Sequence, residues 1–494
     1  MAYRNLDEYL IRLEQSDQLR IIEQPVHTLV EINQLTQCHA AEGKALWFDA
    51  VANTQFPVIT NLFATEQQIA WAFGVSSLNE VEGKLKHLLD PDLSAGPTAM
   101  MGRATEVVSV LRSAGLFGMN NRQRNNDYIP LDDINSLATL LKTDAEDCQF
   151  SLRGQLVYTH PYTAQQCTGT VQLMAGNGKL MLHADDLPLN ADTTPVAIVI
   201  GGDPAAMWAV NMPMPSRINP YWMAGWLRRK PVPMISAQTL NVLLPANAEI
   251  VIEGCIHNAY HGDLYDFEIT KAYQRDGAVI PLLQTDAFWA KKAEERLFLP
   301  IARTFIQDLV DLNITHTAQA RSIAVAQVSN NRQVHQIVHG LLGTSQLAQT
   351  DMIICVDRNT NLHDPHNVAQ AVTDHIRWSA DLIVIHQGDR LKLGLDATQH
   401  TTGRQLTTDD TLTRPHRIWG DDLLITSVAQ GEYINPIIQS LWEKKPDLHL
   451  LLVPASIQLD DIYNLFYEVI FQQQWQMTYQ YNGIRRVAIN ATST

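Results

Sequence analysis

Between about Gln149 and Val328 the chain runs as a succession of short β-like segments, and this stretch leaves few folds open to it. Leu156-Val157-Tyr158, Thr170-Val171-Gln172-Leu173, Lys179-Leu180-Met181-Leu182, Val196 to Ile200 and Glu249 to Glu253 are strand-length apolar runs. Gly176-Asn177-Gly178, between two of them, has the residues of a tight hairpin turn. The expectation is a mostly antiparallel domain, a split β-barrel, with one helix near Tyr221 to Arg229.

On either side the pattern alternates between helix and strand. Leu6, Tyr9, Leu10 and Leu13 recur at helical spacing, so residues 5–17 read as an amphipathic helix. Residues 28–41 read as a second, stopped by Gly43. Ala45 to Phe48 and Pro57 to Leu62 read as strands, and Thr65 heads a helix through Ala72. The polar, Asn- and Arg-rich residues 117–135 read as a crossing into the next domain. In the last third, Asp351-Met-Ile-Ile-Cys-Val, Asn367 and Trp378 are echoed by Asp447-Leu-His-Leu-Leu-Leu-Val, Asn464 and Trp475, with eleven residues from Asn to Trp in both. Each copy reads as a βαβ unit. Internal duplication and the ordinary likeness of successive βαβ units explain this equally well. The organisation expected is an α/β protein of three domains: residues 1–120 α/β, 121–328 the barrel, and 329–494 α/β with βαβ units.

Composition narrows the function. Thirty-six basic residues against 52 acidic ones give a net charge of -16, which opposes nucleic-acid binding and adsorption to anionic membranes. The five cysteines are scattered, with no C-x-x-C pair, so neither a disulfide framework nor a structural zinc site is expected. With no apolar segment near the ~20 residues of a membrane helix and no basic start followed by an apolar stretch, a cytoplasmic protein is expected.

Longer matches point to a family. Glu42-Gly43-Lys44-Ala45-Leu46-Trp47-Phe48 with Pro57 to Phe63, then Pro195 to Ala205, Leu244 to Gly254 and Gly394-Leu395-Asp396-Ala397-Thr398 resemble the UbiD family of 3-polyprenyl-4-hydroxybenzoate decarboxylase-like carboxy-lyases. The resemblance spans about 400 residues in order. It implies an N-terminal α/β domain, a split barrel related to flavin reductases, and a C-terminal α/β domain. It further implies a homo-oligomer, dimer or hexamer, and prenylated FMN held through manganese and potassium. The implied substrates are aromatic or α,β-unsaturated acids.

Carried across residue by residue, the family's site is altered. Its metal-binding Asn falls on Gln166, and its catalytic Arg on Val171, which has no donor. Thr168 and Thr170 are further cofactor candidates on the same stretch. His183 lies a few residues from the expected histidine ligand, with Asp185 and Asp186 following. Glu253 matches the family's metal-binding glutamate in context. Cys255 to Asp266, holding His257, His261 and Asp263, reads as a solvated loop or a transition-metal cluster. The acid-bearing loop is shortened, leaving Asp286 as the nearest catalytic carboxylate, while Glu294 and Glu295 read as helix-surface residues. His363-Asp364-Pro365-His366 reads as a helix start, and Cys167 as a buried inert thiol.

Two functions follow from the resemblance: a prenylated-FMN-dependent decarboxylase or carboxylase, or a UbiD-like accessory subunit that has lost its cofactor and binds a partner protein. A third is different chemistry in the same cavity through His183, Asp185, Asp186 and Glu253.

Overall fold

Local signals begin the first elements. The Asn5 side chain accepts the Glu8 amide to start α1 (Leu6–Gln15), and Thr28 accepts that of Glu31 to start α2 (Leu29–Cys38). Thr65 and Gln68 form a reciprocal capping box on α3 (Glu66–Ala72), followed by α4 (Leu78–Leu89). Strand β1 (Leu19–Ile22) pairs parallel with β2 (Ala45–Phe48), which pairs antiparallel with β3 (Val58–Thr60).

The computed structural model describes residues 3, 5–52, 54–89, 128–132, 134, 137, 141, 150–176, 179–183, 193–211, 219–261, 264–284, 287–315, 317–318, 321–344, 347–348, 350–387, 390–398, 404–472, 474–481 and 485–493. Most of the polar crossing at 117–135 lies outside them, as do Asp185, Asp186, Asp263 and Asp286. Two units result, Met1–Arg296 and Leu297–Thr494.

The first unit contains the barrel. Its elements are β4 (Tyr128–Pro130), β5 (Phe150–Thr159), β6 (Gln166–Gly176), β7 (Lys179–His183), β8 (Thr193–Ile200), α5 (Pro204–Asn211), α6 (Pro220–Leu227), β9 (Met234–Ser236), β10 (Leu243–Pro245), β11 (Ile250–His261), β12 (Leu264–Arg275) and β13 (Ile280–Gln284). Six strands close in the order β5-β6-β7-β12-β11-β8 and back to β5, every pairing antiparallel. The barrel read from the sequence is therefore present, including the β6–β7 hairpin and the helix after Pro220. Of the stretch from Cys255 to Asp266, expected as a loop, Cys255 to His261 instead ends β11 and Leu264 to Asp266 begins β12. At Gly254 the ladder shifts register, and a Cβ there would lie 2.1 Å from the Glu268 carbonyl oxygen, so only glycine allows this approach. Strand β13 joins the barrel to the N-terminal sheet, parallel to β3 and antiparallel to β5.

Alternation along the strands makes two apolar faces. Leu156, Val171, Leu182, Ile198, Ile252 and Phe267, one from each barrel strand, share the interior cluster. Val157, Ala197, Val199, Val251 and Tyr273 face outward and are covered by Ile235, Val242 and Leu244 of the β9–β10 hairpin. Helix α7 (Phe288–Phe305) then carries the chain into the second unit.

The second unit is one topology used twice. Its first sheet contains β14 (Leu309–Asn313), β15 (Thr317–Ala318), β16 (Arg321–Val328), β17 (Met352–Val356), β18 (Leu382–Gln387) and β19 (Arg390–Ala397), in the order β14-β16-β17-β19-β18 with β15 on β16. The second contains β20 (Leu406–Thr407), β21 (His416–Trp419), β22 (Leu423–Val428), β23 (His449–Pro454), β24 (Gln474–Tyr481) and β25 (Arg485–Ser493), in the order β20-β21-β22-β23-β25-β24. Helices α8 (Val334–Leu342) and α9 (Pro365–His375) occupy the places that α10 (Ile434–Lys444) and α11 (Ile462–Tyr467) occupy in the second copy. Asp364 caps α9 with Pro365 behind it, the helix start read from the sequence. In both copies the strand after the second helix is antiparallel, and the next one returns parallel to the first. Each repeat thus ends in a hairpin, where the sequence suggested a simple βαβ. Trp378 and Trp475 are both buried in the core shared by the two copies.

Candidate active site

The outward face of β5 and β6 carries the polar side chains. Antiparallel pairing sets Arg153 opposite Gln172, Gln155 opposite Thr170, Val157 opposite Thr168 and Thr159 opposite Gln166. Opposite residues share a face, so Gln166, Thr168 and Thr170 point outward together. Val171 points the other way. It is 1% exposed, in the barrel interior, opposite Gly154. Val171 lies five positions after Gln166, and an odd offset on an unbroken strand reverses the face. The gap-free match to the family's arginine therefore lands on a core position.

The sequence reading passed over another arginine, on the neighbouring strand. Arg153 lines a cavity of about 220 Å³ together with Phe63, Phe150, Trp208, Leu282, Lys291 and Glu294. Three elements position this group: β5 supplies the guanidinium, α5 the indole, and α7 the ammonium and carboxyl. The Trp208 indole N–H donates to the Ala290 carbonyl at 3.2 Å, and its ring meets Phe73 edge-on at 4.6 Å between centroids. That contact fixes α7 one residue before Lys291. Burial pushes the Glu294 carboxyl up to about 7; Lys291 opposes the shift and Glu295 reinforces it. A carboxyl poised near neutrality can hold and release a proton under working conditions.

Glu294 is thus a cavity residue rather than the helix-surface residue read from the sequence. Glu295 is not on the surface either. It is fully buried, 2.6 Å from Lys292 and 3.3 Å from Arg296, which reaches Glu82 at 3.5 Å. The available signal was compositional: Arg153 is a lone charge in the strand Phe150-Ser-Leu-Arg-Gly-Gln-Leu, and a charge kept in a mostly buried strand has a partner or a task.

Glu253 is 0% exposed and its carboxylate accepts four hydrogen bonds. The donors are the Gln238 amide at 2.7 Å, the Thr239 amide at 2.6 Å, the Thr239 hydroxyl at 2.5 Å and the Tyr273 hydroxyl at 2.6 Å. Burial raises its pKa, but these donors outweigh burial and hold it below the usual carboxylate range. The Gln166 amide is engaged at both ends, donating to the Leu243 carbonyl at 2.9 Å and accepting the Leu243 amide at 2.7 Å.

His183 does not join them. On β12, Lys271 lies opposite Glu253 and Leu264 opposite His183, seven residues apart, roughly 20 Å along the strand. Among the described residues no three His, Cys, Asp or Glu side chains come together to hold a metal ion. A divalent ion of the manganese or magnesium type takes about six oxygen ligands. The donors at Glu253 and Gln166 are committed to backbone and hydroxyl partners, so this set does not fit one.

The remaining candidates separate as well. His257 meets Glu268 at 3.0 Å across the β11–β12 hairpin, an exposed pair. Cys167 packs on the barrel interior, with its thiol pKa raised by burial, as an inert thiol does. Asp203, after the Gly201-Gly202 turn, is buried in a 2.5 Å ion pair with Arg228 and accepts the Ala206 amide, which fixes the entry to α5.

Models of three families match successive parts of the chain. They describe the N-terminal domain (residues 10–86), the Rift-related domain (156–321) and the C-terminal domain (289–409) of 3-octaprenyl-4-hydroxybenzoate carboxy-lyase. An uncharacterized protein of Archaeoglobus fulgidus is 26% identical over 455 residues, covering 81% of this chain and 92% of its own. Among solved structures, the UbiD-class enzyme HmfF from Pelotomaculum thermopropionicum, in complex with FMN, matches with a TM-score of 0.60 at 20% identity, over 81% of this chain and 95% of HmfF. The closed form of Sedimentibacter hydroxybenzoicus vanillic acid decarboxylase matches with a TM-score of 0.61 at 17% identity, over 90% of this chain and 99% of that one. At these identities the structural likeness establishes the fold.

Proposed function

Because the chain belongs to the UbiD family of carboxy-lyases, we propose that it binds and acts on a small aromatic or α,β-unsaturated carboxylic acid in the Arg153–Glu294 cavity. The observation that carries this reading is a guanidinium and a carboxyl of near-neutral pKa on one apolar cavity. Arg153 and Lys291 provide the positive charge for a carboxylate, and an arginine fork matches its two oxygens. Glu294 holds the proton for the carbon that loses or gains the carboxyl group. Phe63, Phe150 and Trp208 receive a flat apolar body. Size supports a single ring, since a cavity of about 150 Å³ accommodates benzene and this one is about 220 Å³.

Prenylated FMN with manganese and potassium is the cofactor the resemblance implies, and Glu253, Gln166 and His183 do not assemble its metal anchor. A flavin on this chain rests on other contacts. The same observation favours a second reading, an accessory subunit that retains the fold and has given up the chemistry.

Isothermal titration with benzoate and cinnamate tests the first reading. It is run beside release of labelled carbon dioxide by protein co-expressed with a flavin prenyltransferase in manganese and potassium. Binding that Arg153→Ala weakens by about tenfold or more supports it. No binding of either acid to the intact chain would sink it and leave the accessory reading.

A further inference from the structure

The two barrel residues placed where the family ligates its metal both grip one hairpin. Glu253 on β11 takes the Gln238 and Thr239 amides and the Thr239 hydroxyl, just after β9. Gln166 on β6 takes both backbone groups of Leu243, the first residue of β10. Beside these grips, Ile235, Val242 and Leu244 of the same hairpin bury themselves on the outward barrel face.

We propose that the hairpin Met234–Pro245 is a protein strap that replaces the metal anchor, so that Glu253 and Gln166 serve as clips and the chain takes up no manganese at this place. The chemistry of the donors carries the argument. A carboxylate offers about four acceptor sites, and Glu253 uses all four. Its partners include two backbone amides in a part-buried loop, and a cation on the same oxygens would leave those amides unmatched. The Gln166 amide imitates one rung of a β-ladder, satisfying an N–H and a C=O together, and a metal would claim the same oxygen. The sequence is consistent with this arrangement. Glutamine, longer than the asparagine the family places here, reaches the hairpin backbone, and Thr239 gives Glu253 a hydroxyl as well as an amide. The strap stands independently of whether the Arg153–Glu294 cavity binds an acid.

The test uses the intact chain, purified with flavin prenyltransferase co-expression and incubated with manganese and potassium. Bound metal is counted by elemental analysis, and hydrogen exchange is followed at the Gln238, Thr239 and Leu243 amides. The expected result is substoichiometric manganese, with slow exchange at all three amides that manganese does not change. In Glu253→Gln, exchange at Gln238 and Thr239 accelerates by about tenfold or more, and Gln166→Leu does the same at Leu243. One manganese per chain, with loss of protection at Gln238 and Thr239 when it binds, overturns the proposal. Fast exchange at these amides in the unaltered protein overturns it equally, and neither result depends on a variant folding.

Discussion

A proton-carrying carboxyl acts on a substrate only if another group fixes that substrate beside it, and in the proposed reading Arg153 would fix the acid while Glu294 carries the proton. Glu294→Gln removes the proton and keeps the shape. The expected outcome is benzoate affinity within about threefold of the unaltered protein and turnover reduced by a factor of about 10² or more, the usual scale for one general acid. Arg153→Lys keeps the charge but loses the fork, so affinity should fall roughly tenfold. Equal turnover in Glu294→Gln and the unaltered chain would remove Glu294 from the chemistry. Val171 gives the complementary prediction. Restoring the family's arginine there places a guanidinium in a sealed barrel, opposite Gly154, where even a Cβ would lie 2.6 Å from Ile198. Val171→Arg should therefore cost on the order of 3 kcal/mol or more in denaturant unfolding and add no activity.

At the scale of elements, what the sequence showed and what it hid have physical causes. Strand runs, the capping box at Thr65 and the Asp364-Pro365 helix start are local, so a few neighbouring residues determine them. Glu253 was legible as a position because its strand motif is local too. Its role was not, because the hairpin it grips begins earlier in the chain and meets it only through folding. Arg153 and Glu294 stand far apart in sequence and share a cavity only because β5 and α7 converge there. The alternation of faces along β6 was available, and it already separates Val171 from Gln166. The hairpin yields a prediction of its own. Gln166→Ala leaves the Leu243 amide and carbonyl without their partner and should lower stability by about 1–3 kcal/mol. Thr168→Ala, on the same face, should lie within about 0.5 kcal/mol of the unaltered chain. Equal losses from the two would mean that Gln166 is not a clip.

At the scale of the whole molecule, two units with separate cores predict two calorimetric transitions, and their titratable groups predict opposite responses to pH. In the first unit, burial raises Glu249 and Glu294 to about 7, against about 4.5 in the unfolded chain. The folded unit therefore holds more protons in that window. Stability from these groups is present below about 4.5 and is lost as the pH rises through 7. For Glu249, 0% exposed and paired with Arg275 at 2.8 Å, the loss is at most about 3 kcal/mol; it is smaller for Glu294, which borders the cavity. In the second unit, burial lowers the pKa of His449, with Asp422 opposing. There the unfolded chain holds the extra proton, and stability rises as the pH climbs towards 6.5. Moving from about pH 5 to about pH 8 should then lower the transition of the first unit and raise that of the second. Glu294→Gln should reduce the fall in the first without moving the second. A single transition, or two that shift in the same direction, would show that the units do not unfold separately or that these buried groups do not govern the pH response.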